Sequence, residues 1–381
     1  MNSSSVRFFL VLGALAIIVF GFIVLLNRVD GSTIFSRAQK NPSATNTPGG
    51  IADLPKNELL APLEKAGSEI AVIVDGSVRI VLPDPKAPQP VIAVIDAEQP
   101  QTLAWAKDRL YWVEKRAVKK SSSSASETSY VIVEASFDDR AVKKQDVYRS
   151  ERLIESLEAD PSGQLVSFIE GESVDERELF VYAKKTNEVR RIAQDPVSVA
   201  WSPAAGRFAL VVASNQTPRP KTQYLELSAS AEKKSTVDLP ENFGGFGVIF
   251  LNDSTVAGLD WSLGGTAKLQ TVDLRSNAVT EVGEVKENSD ARLSKRGKIV
   301  YPVMHTVQDE NAVLITIADR VNSIYAIQNG EQTYLRIDEE PIGLIDSTTV
   351  LVKRGFDLFS VGLKSGIQTA VASDVTAAAL R

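Results

Sequence analysis

Short apolar runs that arrive in pairs, one pair every roughly 42 to 54 residues, constrain this chain more than any other feature. Val199–Val212, VAWSPAAGRFALVV, is the clearest pair: an apolar run ends in Trp201, a Ser-Pro turn follows, and a second run starts after Gly206. That is strand, tight turn, strand. Pairs of the same kind occupy Thr102–Glu114, Ser156–Glu170, Val248–Asp260, Ala291–Val303 and Ile342–Arg354. No long stretch from Glu69 onward keeps a helical apolar period, so the spacing predicts an all-β domain.

Behind most pairs come two further runs, as at Glu178–Ala193, Lys268–Gly283 and Asp357–Ala372. Each folds back at a polar turn: Lys185-Thr186-Asn187, Arg275-Ser276-Asn277 or Lys364-Ser365-Gly366. Four strands per repeat is the blade of a β-propeller, and six such repeats are complete. The seventh is split: Glu69–Val74, Val78–Leu82 and Val91–Ile95 supply three strands, and Val375–Leu380 supplies a lone innermost one. Joining them would close the ring and remove an unpaired edge at each end. The expectation is a seven-bladed propeller over residues 67–381 closed by the C-terminal strand, with six or eight blades as the neighbouring solutions.

Phe8–Leu26, FFLVLGALAIIVFGFIVLL, carries no charge and would span about 28 Å as a helix, close to the bilayer core. It is expected to be an uncleaved transmembrane anchor behind a short tail, residues 1–7, because the run is long for a signal peptide and no small-residue cleavage site follows. Residues 27–66 read as a flexible linker, since segments such as Asn41–Gly50 (NPSATNTPGG) are too polar to offset their ordering entropy. Leu54–Lys65 has room for one or two helical turns, interrupted at Pro62. Arg28, Arg37 and Lys40 after the helix outnumber Arg7 before it, but long domains obey the positive-inside rule poorly. The stalk and the lack of cysteine favour an extracytoplasmic domain.

WSPAAGRFALVVAS and ADPSGQLVSFIE resemble the WD40-like repeats of the TolB and dipeptidyl-peptidase propellers, whose signature is W-S-P-D-G-R before an apolar strand. Trp201, Ser202, Pro203, Gly206 and Arg207 match, while Ala204 and Ala205 stand in for the aspartate and add a residue. The motif marks a blade rather than an activity. The resemblance therefore implies a fold, with partner binding as its usual employment, and the hydrolase domain of some members is not expected.

A net charge of −6 argues against nucleic acid as a partner. The absence of cysteine removes thiolate chemistry, and a single histidine, His305, removes histidine-cluster sites, so neither metal nor cofactor is expected. No catalytic motif is found: Ser230–Lys233 fits S-x-x-K only by chance, and the Gly244–Gly247 and Gly264-Gly265 clusters precede no helix that could cradle phosphate. His305 reads as a lone strand histidine, and the regular placing of Trp105, Trp112, Trp201 and Trp261 predicts packing between blades. Ser121–Ser129 (SSSSASETS) reads as an insertion and Glu170–Glu178 (EGESVDERE) as a solvated turn.

One pattern runs through every repeat. Each connection into a new one carries an acid: Asp96 and Glu98, Glu151, Asp195, Asp238 and Glu241, Glu287 and Asp290, Asp338 to Glu340, and Asp374. Gathered on one face these would attract a cation or a basic partner segment, although acids are also common in turns. Asp195, Glu241, Asp290, Glu340 and Asp374 are the candidate partner-binding residues; no catalytic residue is assigned. The first reading is a protein-interaction or scaffold module of the cell envelope, held to the membrane by residues 8–26. The second is an extracytoplasmic enzyme, or a glycan- or small-ligand-binding propeller, with its site at the channel mouth.

Overall fold

The computed structural model describes residues 55–381 apart from 62, 64–68, 83–90, 120–125, 139, 172–175, 214–219, 244–246, 262–265, 287–302, 307–311, 318–322, 329–330, 337–339, 347 and 363–364. The strands are β1 (Glu58–Leu59), β2 (Ile70–Val74), β3 (Ser77–Val81), β4 (Val91–Asp96), β5 (Pro100–Ala106), β6 (Arg109–Lys119), β7 (Ser126–Asp138) and β8 (Ala141–Ser150). There follow β9 (Ile154–Ala159), β10 (Leu165–Glu170), β11 (Glu178–Ala183), β12 (Glu188–Gln194), β13 (Pro196–Trp201), β14 (Arg207–Val212), β15 (Lys221–Leu227) and β16 (Lys233–Asp238). Next are β17 (Val248–Asn252), β18 (Thr255–Trp261), β19 (Thr266–Asp273), β20 (Val279–Lys286), β21 (Val303–Thr306), β22 (Ala312–Ile317), β23 (Ser323–Gln328) and β24 (Glu331–Arg336). The last five are β25 (Glu340–Asp346), β26 (Thr349–Arg354), β27 (Asp357–Gly362), β28 (Gln368–Ala372) and β29 (Val375–Leu380).

Strands β9 to β28 make five antiparallel four-stranded sheets, each from four consecutive strands. The other nine form one sheet in the order β29-β2-β3-β4-β1-β8-β7-β6-β5, two four-stranded groups with β1 between β4 and β8. An even number of antiparallel strands returns the chain to the face it left, so the connections from one group to the next share a face. The first strands of successive groups lie side by side: β29 by β5, β5 by β9, β13 by β17, β17 by β21, β21 by β25 and β25 by β29. This is a propeller-like all-β arrangement around a common centre.

Burial is greatest in second strands such as β2, β10 and β14 and least in the fourth strand β16. The run IAVIV of β2 is buried throughout, as expected of a strand packed on both faces. The fourth strand β16, KKSTVD, is exposed at nearly every position, and its lysines discourage pairing with another chain. Side chains set the turns. Asp160 accepts the N–H groups of Gln164 and Leu165 at 2.9 and 2.8 Å, and Asp273 accepts those of Arg275 and Ser276 at 3.0 and 2.8 Å. In the Trp201 pair, Gly206 adopts φ 78°, and a Cβ there would stand 3.0 Å from the Leu227 carbonyl oxygen, so glycine is required.

The chain closes on itself through β29, which pairs antiparallel with β2 from Ile70↔Leu380 to Val74↔Val375. Arg381 extends the closure: it ion-pairs with the fully buried Glu69 at 3.0 Å, donates to the Lys107 carbonyl at 2.8 Å and lies over the Trp105 ring.

The structure departs from the sequence reading in three places. The end of the expected linker is no helical turn: Glu58–Leu59 is a strand paired with β4, and Leu59 is buried, so the β-domain begins at Lys56 rather than at residue 67. Of the inner pair expected at Ala291–Val303, residues 291–302 lie outside the described residues, and Val303 opens β21, which pairs with β22. Ser126–Ser129 is not insertion but the start of β7, held by eleven cross-strand partners on β6, from Arg109↔Ser136 to Lys119↔Ser126. Glu170 and Glu178 are not solvated: Glu170 is buried and accepts from Tyr148 and Ser150, both at 2.8 Å, and Glu178 pairs with Arg152 and Arg191, both at 2.7 Å. Among the described residues no helix is long and apolar enough to cross a membrane; Phe8–Leu26 and most of the linker lie outside them.

Candidate functional site

The first strands surround a cavity of ≈ 740 Å³, a size typical of small-ligand pockets. Strands β5, β9, β13, β17, β25 and β29 all contribute to its wall, which is mostly apolar. The cavity extends sideways between the β9–β12 and β13–β16 sheets, where Ile169 and Leu179 join the lining. There β9 and β13 make the weakest junction between successive first strands.

Trp201 accounts for that opening. Its ring packs against Phe208 with centroids 5.1 Å apart, and its indole N–H donates to Ser167 Oγ at 3.0 Å. The ring thus stands between β13 and the neighbouring sheet as a wedge. Farther out the two sheets meet through Leu179, Val181, Phe208, Leu210 and Leu225, all buried. Trp201 itself is only half-buried and lines the cavity, so the expected packing role covers one of its faces. Trp105 and Trp112 are buried as expected; Trp112 donates to Glu114 at 2.8 Å.

Glu158 is the one ionisable side chain of this lining among the described residues. It pairs across the sheet with Ser167, so both project from the same face, toward the β13–β16 sheet. Leu157, one residue earlier, faces the opposite way into the core against Ala104 and Phe168. The Glu158 side chain is exposed to the open cavity, with the mass of protein that surrounds the cavity close around it. That desolvation pushes it up to about 7, and among the described residues no donor or cation offsets it.

The sign of the consequence follows from proton linkage. Between the ordinary glutamate value of 4.5 and about 7 the folded chain holds a proton that the unfolded chain has released, so this group makes stability fall as pH rises through that window. Glu158→Gln should therefore gain on the wild type as pH goes from about 5 to about 8. Denaturant midpoints of the two proteins that stay parallel across that range would contradict it.

The acids singled out in sequence are placed individually. Asp195 and Asp374 hold equivalent positions, each in the left-handed region (φ 52° and 59°) immediately before a first strand, and Gln99 does the same (φ 44°) before β5. The carbonyls of Gln99 and Asp195 accept from Lys115 and Ala213 at 3.2 and 2.9 Å, the same bond in two repeats. Aspartate tolerates this conformation better than most residues, which supplies a backbone reason for acids here. Asp195 keeps one carboxylate oxygen buried without a hydrogen bond; Asp374, Glu241, Glu98 and Glu151 are exposed. Asp96 pairs with Lys56 at 2.9 Å and Asp238 accepts from Gln223 at 2.7 Å. Glu340 opens β25, and Glu287, Asp290, Asp338 and Glu339 lie outside the described residues.

Glu158 was not singled out in sequence, although a signal exists. Aligned on their turns, Leu157-Glu158-Ala159 matches Val199-Ala200-Trp201, so a carboxylate stands where the sister repeat has Ala200. Among the described residues no group of three or more metal-ligating side chains occurs. Ser230 is held by Ser228 at 2.9 Å in a turn, and His305 pairs in register with Leu314.

No family model matches the chain, and no curated protein matches it by sequence. Solved structures resemble it in fold. The periplasmic gluconolactonase PpgL of Pseudomonas aeruginosa is 13% identical, with 82% of this chain and 98% of that one covered at a TM-score of 0.52. A functionally unknown protein of Desulfotomaculum acetoxidans gives 11% identity, the same coverages and a TM-score of 0.52. TolB of Acinetobacter baumannii is 12% identical over 72% of this chain and 66% of its own, at a TM-score of 0.45. The first two likenesses are of fold alone.

Proposed function

We propose that the chain is a membrane-anchored protein-interaction module: a seven-bladed propeller carried outside the cytoplasm on residues 8–26 and a linker. The blade count adds the five four-stranded sheets to the two groups of the nine-stranded sheet. The observation that carries the interaction reading is the shared face of the connections, on which Asp195 and Asp374 recur at one structural position. With Glu241 on an equivalent connection, Glu340 at the start of β25 and Asp290 expected from the sequence between β20 and β21, that face would draw a basic segment of a partner protein.

The test is binding of oligolysine to the full chain in detergent. Changing Asp195, Asp290 and Asp374 to Asn and Glu241 and Glu340 to Gln together should weaken binding by about tenfold or more at low salt and flatten its salt dependence. Unchanged affinity would remove the acidic face from consideration. Protease accessibility in intact cells tests the orientation, and cross-linking in membranes would identify the partner.

A further inference from the structure

We propose that the cleft between β9 and β13 binds a small hydrophobic amine, its apolar body against Ile169, Val199 and Trp201 and its ammonium group at Glu158. This site is distinct from the acidic connections and does not depend on the interaction reading.

Three features select that ligand. The first is shape: the Trp201 wedge parts β9 from β13 at the inner end while the sheets stay packed farther out, leaving a pocket open to the central cavity. The second is polarity. Around the cleft the lining is apolar save for Glu158, Trp201 and serines 156, 167 and 198, and among the described residues it contains no lysine, arginine or histidine. A carboxylate or phosphate ligand would find no counter-charge there, and a sugar would leave most of its hydroxyls without partners. A metal ion would find a single carboxylate where it needs several ligands.

The third is the state of Glu158. Its backbone oxygen accepts from Ser167 at 3.3 Å, but its carboxyl meets no donor among the described residues. That carboxyl is accessible from the cavity, and an ammonium group would supply it with both charge and donors. The indole of Trp201 adds an aromatic face of the kind that attracts ammonium groups.

The test titrates phenethylamine and its neutral counterpart 2-phenylethanol into the full chain in detergent, following tryptophan fluorescence and the heat of binding. Saturable amine binding about tenfold tighter than that of the alcohol is expected. Glu158→Gln should weaken the amine by about tenfold and leave the alcohol within about twofold. Val199→Trp, which fills the cleft, should abolish binding of both while the protein keeps its cooperative melt. The proposal is overturned if neither ligand saturates, if amine and alcohol bind equally, if Glu158→Gln changes nothing, or if Val199→Trp leaves binding intact.

Discussion

Deletion of residues 374–381 is expected to leave the β-domain without a cooperative thermal transition. Strand β29 covers the inner edge of β2, whose residues Ile70, Ala71 and Val72 are fully buried, and it brings Val375 into the same cluster as Leu351, Leu358 and Val371. Each large apolar side chain returned to water costs about 1.5–3 kcal/mol, and several are uncovered at once. The net stability of a folded domain is only about 5–15 kcal/mol, so the loss is comparable with the whole. The deletion also removes Arg381 from Glu69, which has no exposed surface. Arg381→Ala alone should be milder, lowering the midpoint while keeping one transition. Circular dichroism melts of the three proteins check this, and an unaltered midpoint in the deletion variant would refute closure through β29 as the source of stability.

The second large effect is expected at Glu134 in β7. This carboxylate is 2% exposed and gathers three partners: the guanidinium of Arg109, the hydroxyl of Tyr111 at 2.8 Å and the ammonium of Lys184 at 3.1 Å. Lys184 belongs to the neighbouring sheet, fifty positions away, so the cluster fastens one sheet to the next. Burial, then the charge of Glu134 and its hydrogen bond, holds the Tyr111 hydroxyl far above the ordinary tyrosine range; it acts as a permanent donor. Glu134→Ala leaves a fully buried hydroxyl and two cations without their acceptor, a change that costs about 3–5 kcal/mol. Glu134→Gln retains an acceptor and should lose less. Urea unfolding midpoints rank the variants, and equal midpoints for wild type and Glu134→Ala would show that the cluster contributes nothing net.

Most of the architecture was legible because strand pairing here is sequential. Ala200↔Ala209 and Trp201↔Phe208 are paired across a turn of a few residues, and the turn chemistry of Ser202, Pro203 and Gly206 marks where the chain reverses. The same locality made the hairpins ending β12, β20 and β28 readable. Where the reading slipped, at Ser126–Ser129, the strand runs on into polar sequence, and periodicity carries little signal. The closure of β29 on β2 was legible for another reason: an unmatched strand at each end of a repeat array has one obvious partner.

The acids show what lay beyond the sequence. Glu114, Glu134, Glu158 and Glu170 all sit in strands, and nothing in their immediate neighbours distinguishes them. Tertiary packing does. Glu134 finds Lys184, Glu170 finds Tyr148, and Glu158 finds only an apolar wall parted by Trp201. By itself the sequence determined the strands, their order within each sheet and the turns between them, because those depend on side-chain alternation and backbone preference over a few residues. Only the tertiary structure decided which carboxylate is neutralised and which is left facing a cavity, because a charge inside a protein is governed by groups brought within a few ångströms of it from tens of positions away.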